Sequence, residues 1–321
     1  VFVTGGVFYA SGGYENWKDG DALAAVVCDG MVESSGLPDL LGTDDLTATG
    51  ASAGKCTVSA SGSGKAALTV RIQQSADPVG LLADLGRENA HQGTERVSPV
   101  GHGWAAVLNT HEDQAQASGY LACGGGAEGD LVVSMGARRD PAGEPLDDAE
   151  QRTRLGQALT ETLKRAAEKF GCDEATLGEE VATVPSKQSS ALTPAGKAAG
   201  TCEGIASATY GSAADGRAPV EDCILADNSG EERFRIAAYY GPYAKAARLE
   251  TVRGDQFDRA PGAGVYWATA ACPSGEALYT VEPLDNGDGF VDPDPELERK
   301  ALKTFAAASA ARHGCPAPTY P

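Results

Sequence analysis

The sequence has no long apolar run, only two methionines and three tryptophans in 321 residues, and no two cysteines closer than 21 positions. Each scarcity excludes something. A helix needs ~20 consecutive apolar residues to cross a bilayer, and no segment here supplies them. A structural zinc site is usually framed by close pairs such as C-x2-C, which are missing. Basic residues are also few: 26 Lys and Arg stand against 45 Asp and Glu, a formal charge of −19. So acidic a chain repels phosphate backbones and anionic headgroups, which excludes general nucleic-acid or membrane-surface binding. What remains is an ordinary globular composition, 42% hydrophobic and 22% charged, with length for about two domains.

The chain begins at Val1, and residues 1 to 12 are apolar or small, with no charge before Glu15. Residues 1–20 are therefore expected to be a membrane-proximal remnant, the outer end of an anchor or uncleaved signal whose basic start is missing. The alternative is a buried N-terminal strand.

Eight cysteines remain, and their surroundings repeat. Cys28-Asp29-Gly30 matches Cys202-Glu203-Gly204, and Cys56-Thr57-Val58 matches Cys223-Ile224-Leu225. Cys123 and Cys272 each follow Ala and precede a Gly-containing turn, with strand-like runs after them. Cys172 and Cys315 each come directly after a helix that stops at Gly. The first of these helices is expected from Asp147 or Asp148 as N-cap, with an apolar stripe of Leu155, Leu159, Leu163, Ala166 and Phe170 ending at Gly171. The second is expected from Asp294 as N-cap and Pro295 as first helical residue, with Leu297, Ala301, Phe305 and Ala308 as its stripe and Gly314 past its end. The sequence predicts an internal duplication: module 1 over 21–181, a linker over 182–200, and module 2 over 201–321. Extra residues in module 1, Ala76 to Asn89 and Thr110 to Ser118, read as an added helix and a longer hairpin connection.

Each module reads as α+β, a leading helix or turn, several antiparallel strands and a C-terminal helix on one face. The helix must bury its stripe on the sheet, which brings its last cysteine near a strand bearing the third. The expected bridges are therefore Cys28–Cys56, Cys123–Cys172, Cys202–Cys223 and Cys272–Cys315. Disulfides imply an oxidising, extracytoplasmic compartment.

Cys28 with Leu37-Pro38-Asp39-Leu40-Leu41-Gly42, followed by Cys56-Thr57-Val58, resembles a loose group of actinobacterial lipoproteins and membrane-anchored ectodomains of unknown function. The likeness covers about a third of each module and is weaker in the second, which lacks the Leu-Leu-Gly segment. It implies a role in the cell envelope and carries over no catalytic residue.

Motifs of chemistry mostly fail on context. Gly50-Ala51-Ser52-Ala53-Gly54 has the G-x-S-x-G pattern but runs into a strand instead of a helix, so Ser52 is not expected to be a nucleophile. Ser61 to Ala66 lacks the first Gly and the final Ser or Thr of a phosphate loop and reads as a hairpin turn. Asp285-Asn286-Gly287-Asp288-Gly289-Phe290-Val291-Asp292 resembles a calcium loop, but Leu284 and Pro295 stand where an EF-hand requires acids. Asp285, Asp288 and Asp292 stay as weak metal candidates. So do His91, His102 and His111, around which a secreted hydrolase or metal-dependent enzyme is the alternative reading. His313, in the last turn of a helix, is accounted for by the dipole. Tyr239, Tyr240, Tyr243, Tyr266 and Trp267 concentrate aromatic rings in module 2, as core or, if exposed together, as a contact surface. The favoured expectation is a non-catalytic binding or envelope-assembly ectodomain with no cofactor, facing an envelope protein or glycan and reaching the membrane only through its missing N-terminal anchor.

Overall fold

The computed structural model describes residues 30–34, 36–52, 54–61, 66–75, 79–87, 96–123, 129–140, 143–172, 177–185, 191–250, 266–285, 287 and 289–321. The expected remnant over 1–20, Cys28, His91 and Asp288 lie outside them. The protein is mixed α and β with two antiparallel sheets. The first holds β1 (Leu46–Ser52), β2 (Lys55–Ala60), β3 (Ala67–Ser75), β4 (Ser98–Pro99), β5 (Ala106–Thr110), β6 (Gln114–Leu121) and β7 (Asp130–Arg138), in the order β1-β2-β3-β7-β6-β5-β4. The second holds β8 (Ala208–Gly211), β9 (Val220–Ala226), β10 (Glu232–Tyr239), β11 (Tyr266–Cys272) and β12 (Gly275–Pro283), in the order β11-β12-β10-β9-β8.

Five helices accompany the sheets among the described residues: α1 (Leu37–Leu41), α2 (Leu81–Asp84), α3 (Ala149–Phe170), α4 (Pro242–Glu250) and α5 (Pro295–Arg312). α3 begins where Asp148 accepts a hydrogen bond from Glu150 N at 2.7 Å and ends at Gly171, whose φ of 68° is the left-handed conformation glycine tolerates best. Its buried stripe of Leu155, Leu159, Leu163 and Ala166 packs on β6 and β7, while Phe170 falls off the stripe at 38% exposure. α5 starts with Asp294 accepting from Leu297 N, and Glu298 reaches back to Asp294 N at 2.7 Å. Ala301, Leu302, Phe305 and Ala306 then pack on the second sheet.

Because side chains alternate along a strand, each sheet feeds two cores. Leu131 and Val133 face α3, whereas Val132 between them faces the other way. Ile236 and Ala238 face α5, whereas Ala237 and Tyr239 turn inward. The inward residues of both sheets, with Leu81, Leu82 and Leu85 around α2 and Tyr243, Ala244 and Ala247 of α4, form one shared apolar core. The order of layers is α3, first sheet, α2 with α4, second sheet, α5.

Among the described residues of 76–89 the expected helix is the single turn of α2, and β5 and β6 meet through a tight turn at His111–Asp113 instead of a long connection. The stretch 182–200 joins the sheets and is held at both ends. His102 Nε2 lies 2.7 Å from Thr183 O, Val184 is buried against α3, and Thr193 pairs with Thr209 of β8. Just before it, Trp104 donates to Glu179 O at 2.7 Å, and Gly178 passes so near the indole that a Cβ would come within 2.5 Å of it. Three disulfides form as expected, Cys123–Cys172, Cys202–Cys223 and Cys272–Cys315; Cys56 is also disulfide-bonded, and its expected partner Cys28 lies outside the described residues.

Inside the shared core sits a group of charges. Arg87, in the loop after α2, meets Asp222 of β9 at 2.5 Å, and the second oxygen of Asp222 accepts from Val97 N at 3.0 Å. Burial works against the charge on Arg87, but Asp222, Tyr239 and Glu282 outweigh it and hold the guanidinium firmly protonated. Burying a lone charge costs several kcal/mol, so removing one partner is worse than removing both. Arg87→Met is expected to lose about 3–5 kcal/mol of stability in urea denaturation, and Arg87→Met with Asp222→Asn distinctly less.

Candidate functional site

A cleft of about 290 Å³ opens where the two halves of the chain meet. The first half supplies Ala105 and the end of β6, Tyr120 to Ala122. The second supplies Gly216 and Arg217 ahead of β9, Tyr240 after β10, Pro273 and Ser274 in the β11–β12 turn, and His313 at the end of α5. Two disulfides flank the walls. Cys123 follows Ala122, Cys272 precedes Pro273, and Cys315 lies two residues past His313.

Behind the cleft a polar network fixes its inner wall. Tyr240 stacks on the imidazole of His313 with ring centroids 3.6 Å apart and planes 14° from parallel. The Tyr240 hydroxyl lies 2.5 Å from Ser309 Oγ, which donates to Glu221 Oε2 at 2.5 Å. Arg312 closes a two-pronged pair on the same carboxylate, Nη2 to Oε2 at 2.8 Å and Nε to Oε1 at 3.2 Å, and His313 Nε2 lies 3.5 Å from Oε1. Tyr279 adds its hydroxyl 3.4 Å from that of Tyr240, and burial pushes its phenol up to about 12. Burial alone would raise the Glu221 carboxyl, but His313 and Arg312 together overcome it and hold Glu221 below its ordinary 4.5. At the mouth, burial raises the Tyr120 phenol against a hydrogen bond with Ser274 and the nearby charge of Arg217.

Ser309, the hydroxyl that touches both Glu221 and Tyr240, is 0% exposed and cannot meet a substrate. Arg217 is exposed at the rim, with Nε anchored on Gly103 O at 3.2 Å, and places positive charge where a ligand would enter.

The residues singled out from the sequence are placed differently. Tyr239, Tyr240 and Tyr243 are buried and form no exposed aromatic patch, though Tyr240 lines the cleft from within. Neighbouring strand positions face opposite layers, so Tyr239 joins the shared core and Tyr240 the core under α5. Tyr266 and Trp267 are half-buried and split the same way. His102 and His111 do not converge, because the five residues of β5 lie between them, a span of roughly 16 Å at ~3.3 Å per residue. His102 sits in a turn at φ 55° and ties down the connector; His111 opens the β5–β6 turn. Asp285 accepts from Gly287 N at 2.8 Å in a local turn, and Asp292 is exposed ahead of α5. Among the described residues no three His, Cys, Asp or Glu side chains are grouped to hold a metal ion. Sequence reasoning missed Glu221, Ser309, Arg217 and the part played by His313. The available signal was Glu221-Asp222 inside the otherwise apolar strand Val220–Ala226.

Comparison with protein-family models, curated proteins and solved structures finds no match to this chain.

A carboxyl whose folded pKa lies below its unfolded value stabilises the protein fully above the unfolded pKa, and that contribution is lost as pH falls through the folded pKa. Thermal melts from pH 7 to 3 should therefore show an acid-side loss of stability beginning near 4.5, and Glu221→Gln should be less stable at pH 7 with a flatter profile.

Proposed function

We propose that this chain is a non-catalytic extracytoplasmic ectodomain, tethered through its N-terminal side, that holds an acidic group of an envelope protein or glycan in the cleft between two copies of one module. The observation that carries the reading is that the cleft takes its walls from both halves and sets Arg217 at its mouth in a protein of formal charge −19. Local positive charge in an acidic chain selects an anionic partner. The three disulfides support maturation in an oxidising compartment. Among the described residues no helix is long and apolar enough to cross a membrane.

Strand order supports the duplication. The run β1-β2-β3-β7-β6 has the same connectivity as β8-β9-β10-β12-β11. α2 and α4 both follow the third strand of their set, and α3 and α5 both follow the last. Cys56 and Cys223 lie on the second strand of each set, Cys123 and Cys272 at the end of β6 and β11, and Cys172 and Cys315 just beyond α3 and α5. In this reading β4 and β5 are an insertion in the first copy.

A photocrosslinking residue in place of Ser274, illuminated in envelope extract, should give a discrete adduct whose yield falls about tenfold or more with Arg217→Glu, the loss expected for roughly 1.4 kcal/mol. An adduct indifferent to Arg217→Glu, or none, would sink the proposal.

A further inference from the structure

The inner face of the first sheet carries a second depression, of about 220 Å³, which shares no lining residue with the cleft. Its floor is Gly136 of β7. A Cβ placed there would meet nothing within 4 Å, so the space above this residue is open. Thr69 on β3 and Gln116 on β6 stand on either side of Gly136 in register, and Lys55 and Arg71 face each other across β2 and β3 in the next row. Asp84 of α2 forms the far wall and pairs with Arg71 at 3.3 Å.

Two groups here are incomplete. Gln116 Oε1 is buried without a hydrogen-bond partner, and the Lys55 ammonium has no polar partner among the described residues. A buried acceptor of this kind costs about 1–3 kcal/mol until a donor reaches it. The second sheet treats its own inner face in the opposite manner. There Arg235 and Glu282 are cross-strand neighbours between β10 and β12, both buried in the field of Arg87 and Asp222, and they fill the space. The first sheet has Gly136, Thr69 and Lys55 instead, and leaves it open.

We infer that this depression is a binding site for a hexuronic acid, free or at the end of a glycan chain. Lys55 and Arg71 meet the carboxylate, the Gln116 amide turns to bring Oε1 from its closed position to a sugar hydroxyl, and Thr69 and Asp84 face further hydroxyls. The flat floor over Gly136 receives the ring, and the volume suits one ring, below the ~300 Å³ at which drug-sized pockets begin. A plain anion would satisfy Lys55 but has no donor for Gln116; a neutral sugar would leave Lys55 as it is. This site does not depend on the cleft.

Amide chemical-shift titration with glucuronate, glucose and sulfate, an anion with no O–H donor, separates these cases. Saturable shifts from glucuronate are expected on β2, β3, β6 and β7, at least about tenfold tighter than either glucose or sulfate. Gly136→Met, at a φ that ordinary residues adopt, should abolish them by filling the floor. Lys55→Glu, an exposed change with little cost to folding, should weaken glucuronate about tenfold. Arg217→Glu should leave the titration unchanged, so failure here and failure of the cleft are told apart. Equal affinity for glucose or for sulfate, or no saturable shift, or full binding by Gly136→Met, would overturn the assignment.

Discussion

The structure depends on one contact, the pair between Arg87 and Asp222 inside the core that both sheets share. Asp222 is 0% exposed, and both its oxygens are engaged by residues of the first half, Arg87 and Val97. A shared apolar core alone is permissive, since apolar surfaces slide with little loss. A buried carboxylate with two fixed donors is not. Any displacement of one sheet over the other separates opposite charges in a medium with little water, and so the halves have a single favourable register.

That register is what makes the cleft. Glu221 and Asp222 are consecutive in β9 and, by strand alternation, point to opposite faces. Asp222 locks the halves together; Glu221 gathers Ser309, Arg312 and His313 at the end of α5 and stacks the imidazole against Tyr240. The two carboxylates thus connect the fit of the sheets to the position of the inner wall. Disulfides at Cys123 and at Cys272 and Cys315 hold the ends of the walls, where strands and helix run out of backbone partners.

How far this was legible in the sequence varies with the range of the interaction. The caps at Asp148, Gly171 and Asp294, the strands around Cys56, Cys223 and Leu131, and three of the bridges follow from local pattern, and they stand in the structure. Phe170 lies at the frayed end of its stripe, where periodicity no longer decides burial. The aromatic residues of β10 were unreadable as surface or core because both faces of that strand are covered, and a strand covered on both sides loses its polar alternation. His313 looked complete as a cation at a helix end, because that explanation uses only its own helix. Its true setting is made by Glu221, on another element 92 positions earlier, at a separation that no local pattern encodes.

The two inner faces also bear on the duplicated reading. Two identical modules facing one another would have to offer each other the same surface, as in an isologous dimer. On the proposed duplication the inner faces differ: the second sheet presents Asp222, Arg235 and Glu282 to a loop of the first half, whereas the matching strands of the first sheet carry Lys55, Thr69 and Gly136. Joining two modules in one chain removes the symmetry requirement, because each face then needs to fit only one neighbour. One face is then able to specialise in holding the halves together, and the other is released from that duty to keep an open, polar floor. Different residues at these inner positions, beside connectivity shared by five strands of each sheet, are what separate selection on the two faces of the proposed fused pair would leave.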